Sequence, residues 1–124
     1  MKITGQIEFE LIEQTPERVV GRMPVQPGIL NPYGVTHAGA MLWFADFCAT
    51  MLALGGEPAA PGKAGFPLGV GLNANILGNQ KDGVFTATSV FVKRGRSLSV
   101  VRTTLTGGGG RLIADVTTQH VPAK

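Results

Sequence analysis

Along Ile7-Glu8-Phe9-Glu10-Leu11, apolar and acidic residues swap at every position, the period-two pattern of a strand buried on one face. Residues 18–25 read as its partner strand, with the turn Gln14-Thr15-Pro16-Glu17 between them. Pro27, Gly28, Pro32 and Gly34 then make residues 26–34 a loop. From Ala38 to Leu54 the pattern changes. Apolar residues follow one another, good helix formers dominate, proline is absent, and Gly55-Gly56 supplies a stop. This predicts a single helix, apolar on nearly every side and therefore buried nearly all round. After a loop rich in Pro, Gly and Ala at 57–67, β-branched residues mark four strands at 66–77, 84–92, 98–106 and 112–121. Residues 78–83 and 93–97 are the turns between them. The glycines at 107–110 close the last hairpin; no Lys-Ser or Lys-Thr follows them and no helix begins there, so they do not read as a phosphate cradle.

The order strand, strand, long helix, four strands predicts an α+β architecture. A helix buried on all sides needs a curved antiparallel sheet wrapped around it, and a second subunit to cover what the sheet leaves open. The 124 residues suit one domain over 1–124. A membrane span is the competing reading of the helix. At 17 residues it is at the short limit for a bilayer, and it carries a carboxylate near its middle, so a buried helix and no membrane are expected.

Composition narrows the setting. With 44% apolar and 15% charged residues the chain is too apolar and too weakly charged for disorder. Lys2, Glu8, Glu10 and Glu13 leave no apolar centre for a signal peptide. A lone cysteine, Cys48, excludes an internal disulfide and argues against a zinc cluster; no metal is expected, and the location expected is cytoplasmic. The net charge of +3 hides a division: residues 1–62 carry three Lys or Arg against six Asp or Glu, and residues 63–124 carry eight against two. A basic half suggests an anionic partner. Exposed aromatics interleaved with a dense basic face are missing, so a small anion is favoured over nucleic acid.

Over the 34 positions from 23 to 56, Asp46 is the sole Asp, Glu, Lys or Arg. An ionised carboxylate in such surroundings costs several kcal/mol unless it is paired or hydrogen-bonded, and perturbed groups of this kind cluster at functional sites. Just upstream, Asn31-Pro32-Tyr33-Gly34-Val35-Thr36-His37-Ala38-Gly39 runs into the helix start, where unpaired N–H groups can bind an oxyanion. Asn31 and His37 can add donors there; equally, Asn31 and Thr36 can serve only to shape the turn and cap the helix. His37 and Asp46 lie nine positions apart, about 13 Å along a helix axis. One chain cannot bring both to one reacting atom, so a shared site demands two antiparallel helices from a two-fold dimer.

The run Asn31-x-x-Gly34-x-x-His37-Ala38-Gly39, followed after six residues by Asp46, resembles the motif of the hotdog-fold thioesterases, with the phenylacetate-degradation (PaaI-like) and 4-hydroxybenzoyl-CoA thioesterase group as the nearest match. The element order resembles that family over nearly the whole chain. The resemblance implies a hotdog fold, a homodimer with its sites at the interface, commonly paired into a homotetramer, and hydrolysis of an acyl-CoA thioester. No cofactor is implied, because CoA is part of the substrate. Asp46, from the opposite subunit, would attack the thioester carbonyl or activate a water. The N–H of Ala38 or Gly39 would polarise the thioester oxygen, Asn31 would position the water or carboxylate, and His37 would orient the loop or the thioester. The basic turn Lys93-Arg94-Gly95-Arg96-Ser97 lies where the family holds the CoA phosphates; on charge alone it reads equally as a solvated hairpin.

Two departures stand out. The family's His-Gly-Gly is His37-Ala38-Gly39 here, and its Ser or Thr on the strand after the helix is missing from Gly69-Val70-Gly71-Leu72-Asn73. Asn73, or Thr50 one helical turn beyond Asp46, is the candidate substitute. Two other functions stay open: a hotdog hydratase or dehydratase acting on acyl thioesters, to which Gln26-Pro27-Gly28-Ile29-Leu30 bears a faint similarity, and a non-catalytic acyl-CoA binding module. Tyr33, Trp43, Phe44, Phe47 and Phe66 are candidates for an aryl-accepting pocket, although apolar residues at such spacing more often form core.

Overall fold

The computed structural model describes residues 2–55 and 65–123. Strands β1 (Glu10–Gln14) and β2 (Arg18–Pro24) precede the helix α1 (Ala38–Leu54), and β3 (Pro67–Ile76), β4 (Val84–Lys93), β5 (Ser99–Thr106) and β6 (Leu112–Pro122) follow it. They form one antiparallel sheet in the order β1-β2-β4-β5-β6-β3, curved around α1. This is the hotdog architecture that the element order predicts. Most of the loop expected at 57–67 lies outside the described residues.

The first strand departs from expectation. The in–out alternation begins at Ile7 as read, but the paired ladder starts only at Glu10 and runs to Gln14. β2 ends at Pro24, which lacks an N–H, so Glu8 has no backbone partner there. The Gln26 side chain takes that place: Glu8 N–H donates to its Oε1 at 2.7 Å and its Nε2 donates to Glu8 O at 2.8 Å. A bulge at Ile12 shifts the remaining register.

α1 has the predicted bounds. The Gly55 backbone, at φ 74°, ends it in the left-handed region that glycine adopts without strain. Its first turn is capped by His37, a residue type uncommon at that position. Phe44, Met41 and Leu52 on the helix meet Met23, Phe85 and Leu105 of the sheet, all fully buried. Each such side chain stabilises the fold by about 1.5–3 kcal/mol through its burial. β2 approaches α1 closely because position 21 is glycine: a Cβ there would lie 2.7 Å from Cys48 Sγ. Burial pushes the Cys48 thiol up to about 12, which leaves it an inert core group.

Among the described residues, no helix is long and apolar enough to cross a membrane. β3 forms one edge of the sheet and bears exposed apolar residues at Leu68, Val70, Leu72 and Ile76. Edge strands are usually shortened, charged or covered, and this one is long and apolar. The glycines at 107–110 close the β5–β6 hairpin as expected, with Gly107 N–H donating to Arg111 O at 2.8 Å.

Candidate active site

The loop leading into α1 is held from both sides. Asn79, in the β3–β4 loop, accepts from Thr36 N–H at 3.1 Å through Oδ1 and donates from Nδ2 to Thr36 O at 2.9 Å. Its own carbonyl accepts from Arg111, and the neighbouring Gln80 accepts from Gly108 N–H at 3.0 Å. On the other side His37 N–H donates to Ile29 O at 2.7 Å. Asn31 Oδ1 accepts from Tyr33 and Val35 N–H at 2.9 and 3.2 Å, so it shapes the turn, and only its amide NH2 remains to meet a ligand. Neither Asn79 nor Gln80 stood out in the sequence, where residues 78–83 read as a plain turn; only the fold brings them to Thr36, more than forty positions away.

His37 Nδ1 accepts from Gly39 N–H at 2.8 Å, which puts the proton of the neutral ring on Nε2, an exposed donor. The same bond corrects one expectation. Gly39 N–H, read as a candidate oxyanion donor, is already engaged, and Ala40 N–H donates to His37 O at 3.1 Å. Among the described residues, the Ala38 N–H alone of these three has no partner, and Ala38 is exposed. The extra methyl of Ala38 points from its Cα and leaves that donor in place.

Asp46, two and a half turns along, is half-buried and has neither ion pair nor hydrogen bond among the described residues. It lies over β3: a Cβ added to Gly69 would stand 3.3 Å from Asp46 Oδ1, so glycine leaves the carboxylate its space. Thr50 is half-buried on the same helix face, one turn on. Asn73 is elsewhere. A bulge at Val70 reverses the alternation of β3, so Leu72 pairs with buried Thr118 while Asn73 pairs with Thr117 on the outer face. Asn73 therefore cannot assist the Asp46 of its own chain, whereas a strand without the bulge would place Gly69, Gly71 and Asn73 on one face.

The basic turn projects beyond the C-terminal half of α1. Lys93, Arg94, Arg96 and Ser97 are exposed; the Arg94 guanidinium lies 5.1 Å from the centre of the Phe91 ring. Ser99, rather than Ser97, ties the turn through Gly95 N–H and Gly95 O at 3.4 and 3.3 Å. Of the candidate aromatics, Phe44 is core and Tyr33 is almost fully exposed. Trp43 and Phe47 pack on Phe9 with ring centres 5.4 and 5.2 Å apart. A cavity of about 290 Å³ beside the helix start is lined by His37, Gly39, Trp43, Ile7, Ile29 and Leu30. No group of metal-binding side chains occurs among the described residues.

No family model matches the chain. Putative esterase ComA2 of Bacillus subtilis (strain 168) is 32% identical over 92 residues, covering 74% of this chain and 71% of the relative. The thioesterase enzyme SAV0944 of Staphylococcus aureus subsp. aureus Mu50 superposes with TM-score 0.85 at 26% identity, over 95% of each chain. A hypothetical thioesterase of Streptococcus pneumoniae TIGR4, solved with coenzyme A, superposes with TM-score 0.81 at 21% identity, over 94% of this chain and 86% of its own. In structures of the staphylococcal protein, alanine replaces a glutamine in one and a glutamate fifteen positions later in another. Asn31 and Asp46 are fifteen positions apart.

Proposed function

The chain belongs to the hotdog-fold thioesterase family of the Bacillus subtilis esterase, and on that premise we propose that it hydrolyses the thioester of an aryl- or short- to medium-chain acyl-CoA to the free acid and CoA. The observation that carries the reading is the Ala38 N–H, the one donor of the first helical turn left without a partner among the described residues, next to the His37 Nε2–H. A thioester oxygen gains negative charge as its carbonyl is attacked, and preorganised N–H groups at a helix start stabilise that charge.

Two copies joined along their exposed β3 edges would lay the helices antiparallel and bring the Asp46 of one subunit to the Ala38 of the other. That arrangement covers the apolar edge and removes the distance of about 13 Å that separates the two groups within a chain. Asp46 then either takes a proton from water as the resulting hydroxide attacks the carbonyl carbon, or attacks that carbon itself to form an anhydride that water later opens. In both routes the carbon–sulfur bond breaks and CoA leaves as a thiolate that takes up a proton. The spacing shared with the exchanged glutamine and glutamate of the staphylococcal thioesterase supports giving Asn31 and Asp46 these places. No metal or other cofactor is needed for either route.

The cavity beside His37 suits the acyl group, with Trp43 as its aromatic wall. This favours an aryl ester and, with it, the phenylacetate-degradation and 4-hydroxybenzoyl-CoA group; the homotetramer rests on the family resemblance alone. Lys93, Arg94 and Arg96 supply charge for the CoA phosphates, with the Ser97 hydroxyl beside them, while Gly95, tied to Ser99 through its N–H and its O, shapes the turn. Thr50 remains the hydroxyl nearest in position to Asp46 on its helix face. The test is release of free thiol from a panel of aryl- and alkyl-CoA esters by the wild type and Asp46→Ala. Thiol release by the wild type, reduced by about 10² or more in the variant, is expected. No release from any ester overturns the reading and leaves a hydratase, visible as an enoyl-CoA chromophore, or a binding module.

A further inference from the structure

His120 on β6 is 1% exposed and plays no part in the mechanism above. Its Nε2 and Thr118 Oγ1 are 2.8 Å apart, while its Nδ1 has no hydrogen-bond partner among the described residues. A buried polar atom left unpaired is costly, and folded proteins keep few of them. The place of this one is informative. His120 is the cross-strand neighbour of Gly69, and side chains opposite one another on antiparallel strands share a face. Gly69 has no side chain to come between, and the Asp46 carboxylate rests over that same glycine. A half-satisfied imidazole and a carboxylate with no hydrogen bond among the described residues thus flank a single bare position of the sheet.

Among the described residues, the surroundings of the ring are otherwise sparse in charge. Asp46 faces it from α1, Ser99 pairs with it from β5, Thr118 bonds it from its own strand, and β3 presents Gly69 and Pro67. Arg96, of the β4–β5 turn, shares with it a cavity of about 140 Å³. Burial pushes the His120 pKa down from 6.5, and the Asp46 carboxylate pulls it back up. The ring is therefore neutral near pH 7. The Thr118 contact fits either tautomer, and with the hydroxyl donating to Nε2 the one ring proton sits on Nδ1, where it faces the carboxylate.

We propose that His120 is a positioning residue of the thioesterase reaction, whose Nδ1–H steadies the Asp46 carboxylate across the gap at Gly69. The inference rests on the proposed function for its consequence, and on geometry alone for the pairing. A carboxylate held in one orientation attacks, or takes a proton, from one direction, and small losses of alignment are costly in rate.

Two measurements on the full chain separate the pairing from the activity. In the first, the His120 imidazole is titrated by NMR in the wild type and in Asp46→Asn. The His120 pKa is expected to fall when the carboxylate is neutralised; an unchanged value overturns the pairing. In the second, His120→Gln is expected to lower kcat by about tenfold with KM for CoA esters unchanged, and to add nothing in the Asp46→Asn background. An equal loss in both backgrounds, or a loss confined to KM, overturns the role. If the wild type releases no thiol, the thioesterase reading fails while the titration still decides the pairing. If His120→Gln does not fold, Asp46→Asn leaves the buried ring in place and the titration again decides.

Discussion

The start and the middle of α1 are built on opposite principles. At its start nearly every polar group is matched: Asn79 clamps Thr36 from two sides, Ile29 O takes the His37 N–H, and His37 in turn takes the Gly39 N–H. One donor, on Ala38, is left over among the described residues. In the middle of the helix the order is reversed, because Asp46 and His120 Nδ1 are left without hydrogen bonds among the described residues and the sheet beside them is stripped to glycine. A donor that must stabilise a developing charge has to be in place beforehand, so its loop is tied down. A group that changes its bonding during the reaction has to be free to do so, and stability is given up there.

The contrast predicts different penalties at the two places. The largest is at Asp46: Asp46→Ala should lose about 10² or more in turnover, while thermal unfolding stays unchanged or moves upward, because a half-buried carboxylate that makes no hydrogen bond or ion pair among the described residues is removed. Loss of stability in place of turnover would erase the contrast. Asn79→Ala should do the reverse in kind. Breaking both of its bonds to Thr36 should cost about 1–3 kcal/mol of stability and lower kcat by about tenfold as the Ala38 donor loses its alignment. Denaturant unfolding measures the first and thiol release the second, and a variant as stable as wild type would show that the clamp is idle.

The basic turn should respond more mildly and only to substrate. Arg94→Gln and Arg96→Gln should each raise KM for CoA esters several-fold, as the loss of one exposed phosphate contact implies, and leave the rate on a truncated thioester without phosphates alone. A parallel change on both substrates would remove the turn from CoA binding. The smallest effect is on stability against pH. The folded pKa of His120 is held below 6.5, so the unfolded chain binds more protons than the native one between those values. His120 therefore contributes stability that is fully present above about 6.5 and is lost as pH falls through its folded pKa. Chemical unfolding at a series of pH values should show a downward slope below about 6.5 that flattens in His120→Gln. The surface pair of Arg102 and Asp115, exposed and screened, should give no measurable change in melting on Arg102→Ala.

Much of the fold was legible locally. Seventeen residues of good helix formers ending at a glycine set the bounds of α1, and runs of β-branched residues located β3 to β6 to within a residue or two. These features depend on neighbours in sequence. So does the singular position of Asp46, since one charge within 34 residues is visible without coordinates. The family likeness, carried by the spacing of Asn31, His37 and Asp46, was equally a property of the string.

What the string did not contain was decided by packing and pairing over long separations. β1 begins at Glu10 because the Gln26 side chain replaces a ladder that Pro24 cannot continue. Asn73 turns away from Asp46 because one bulge at Val70 inverts the alternation of a strand, and an alternation of period two keeps no memory of which face it started on. Gly39 ceases to be a free donor because the Nδ1 of a histidine two residues earlier accepts its N–H. Asn79 and His120 had no local signature. Each acquires its place from a partner 43 or 51 positions away, Thr36 for one and Gly69 for the other, and such contacts exist only once the sheet has closed around the helix.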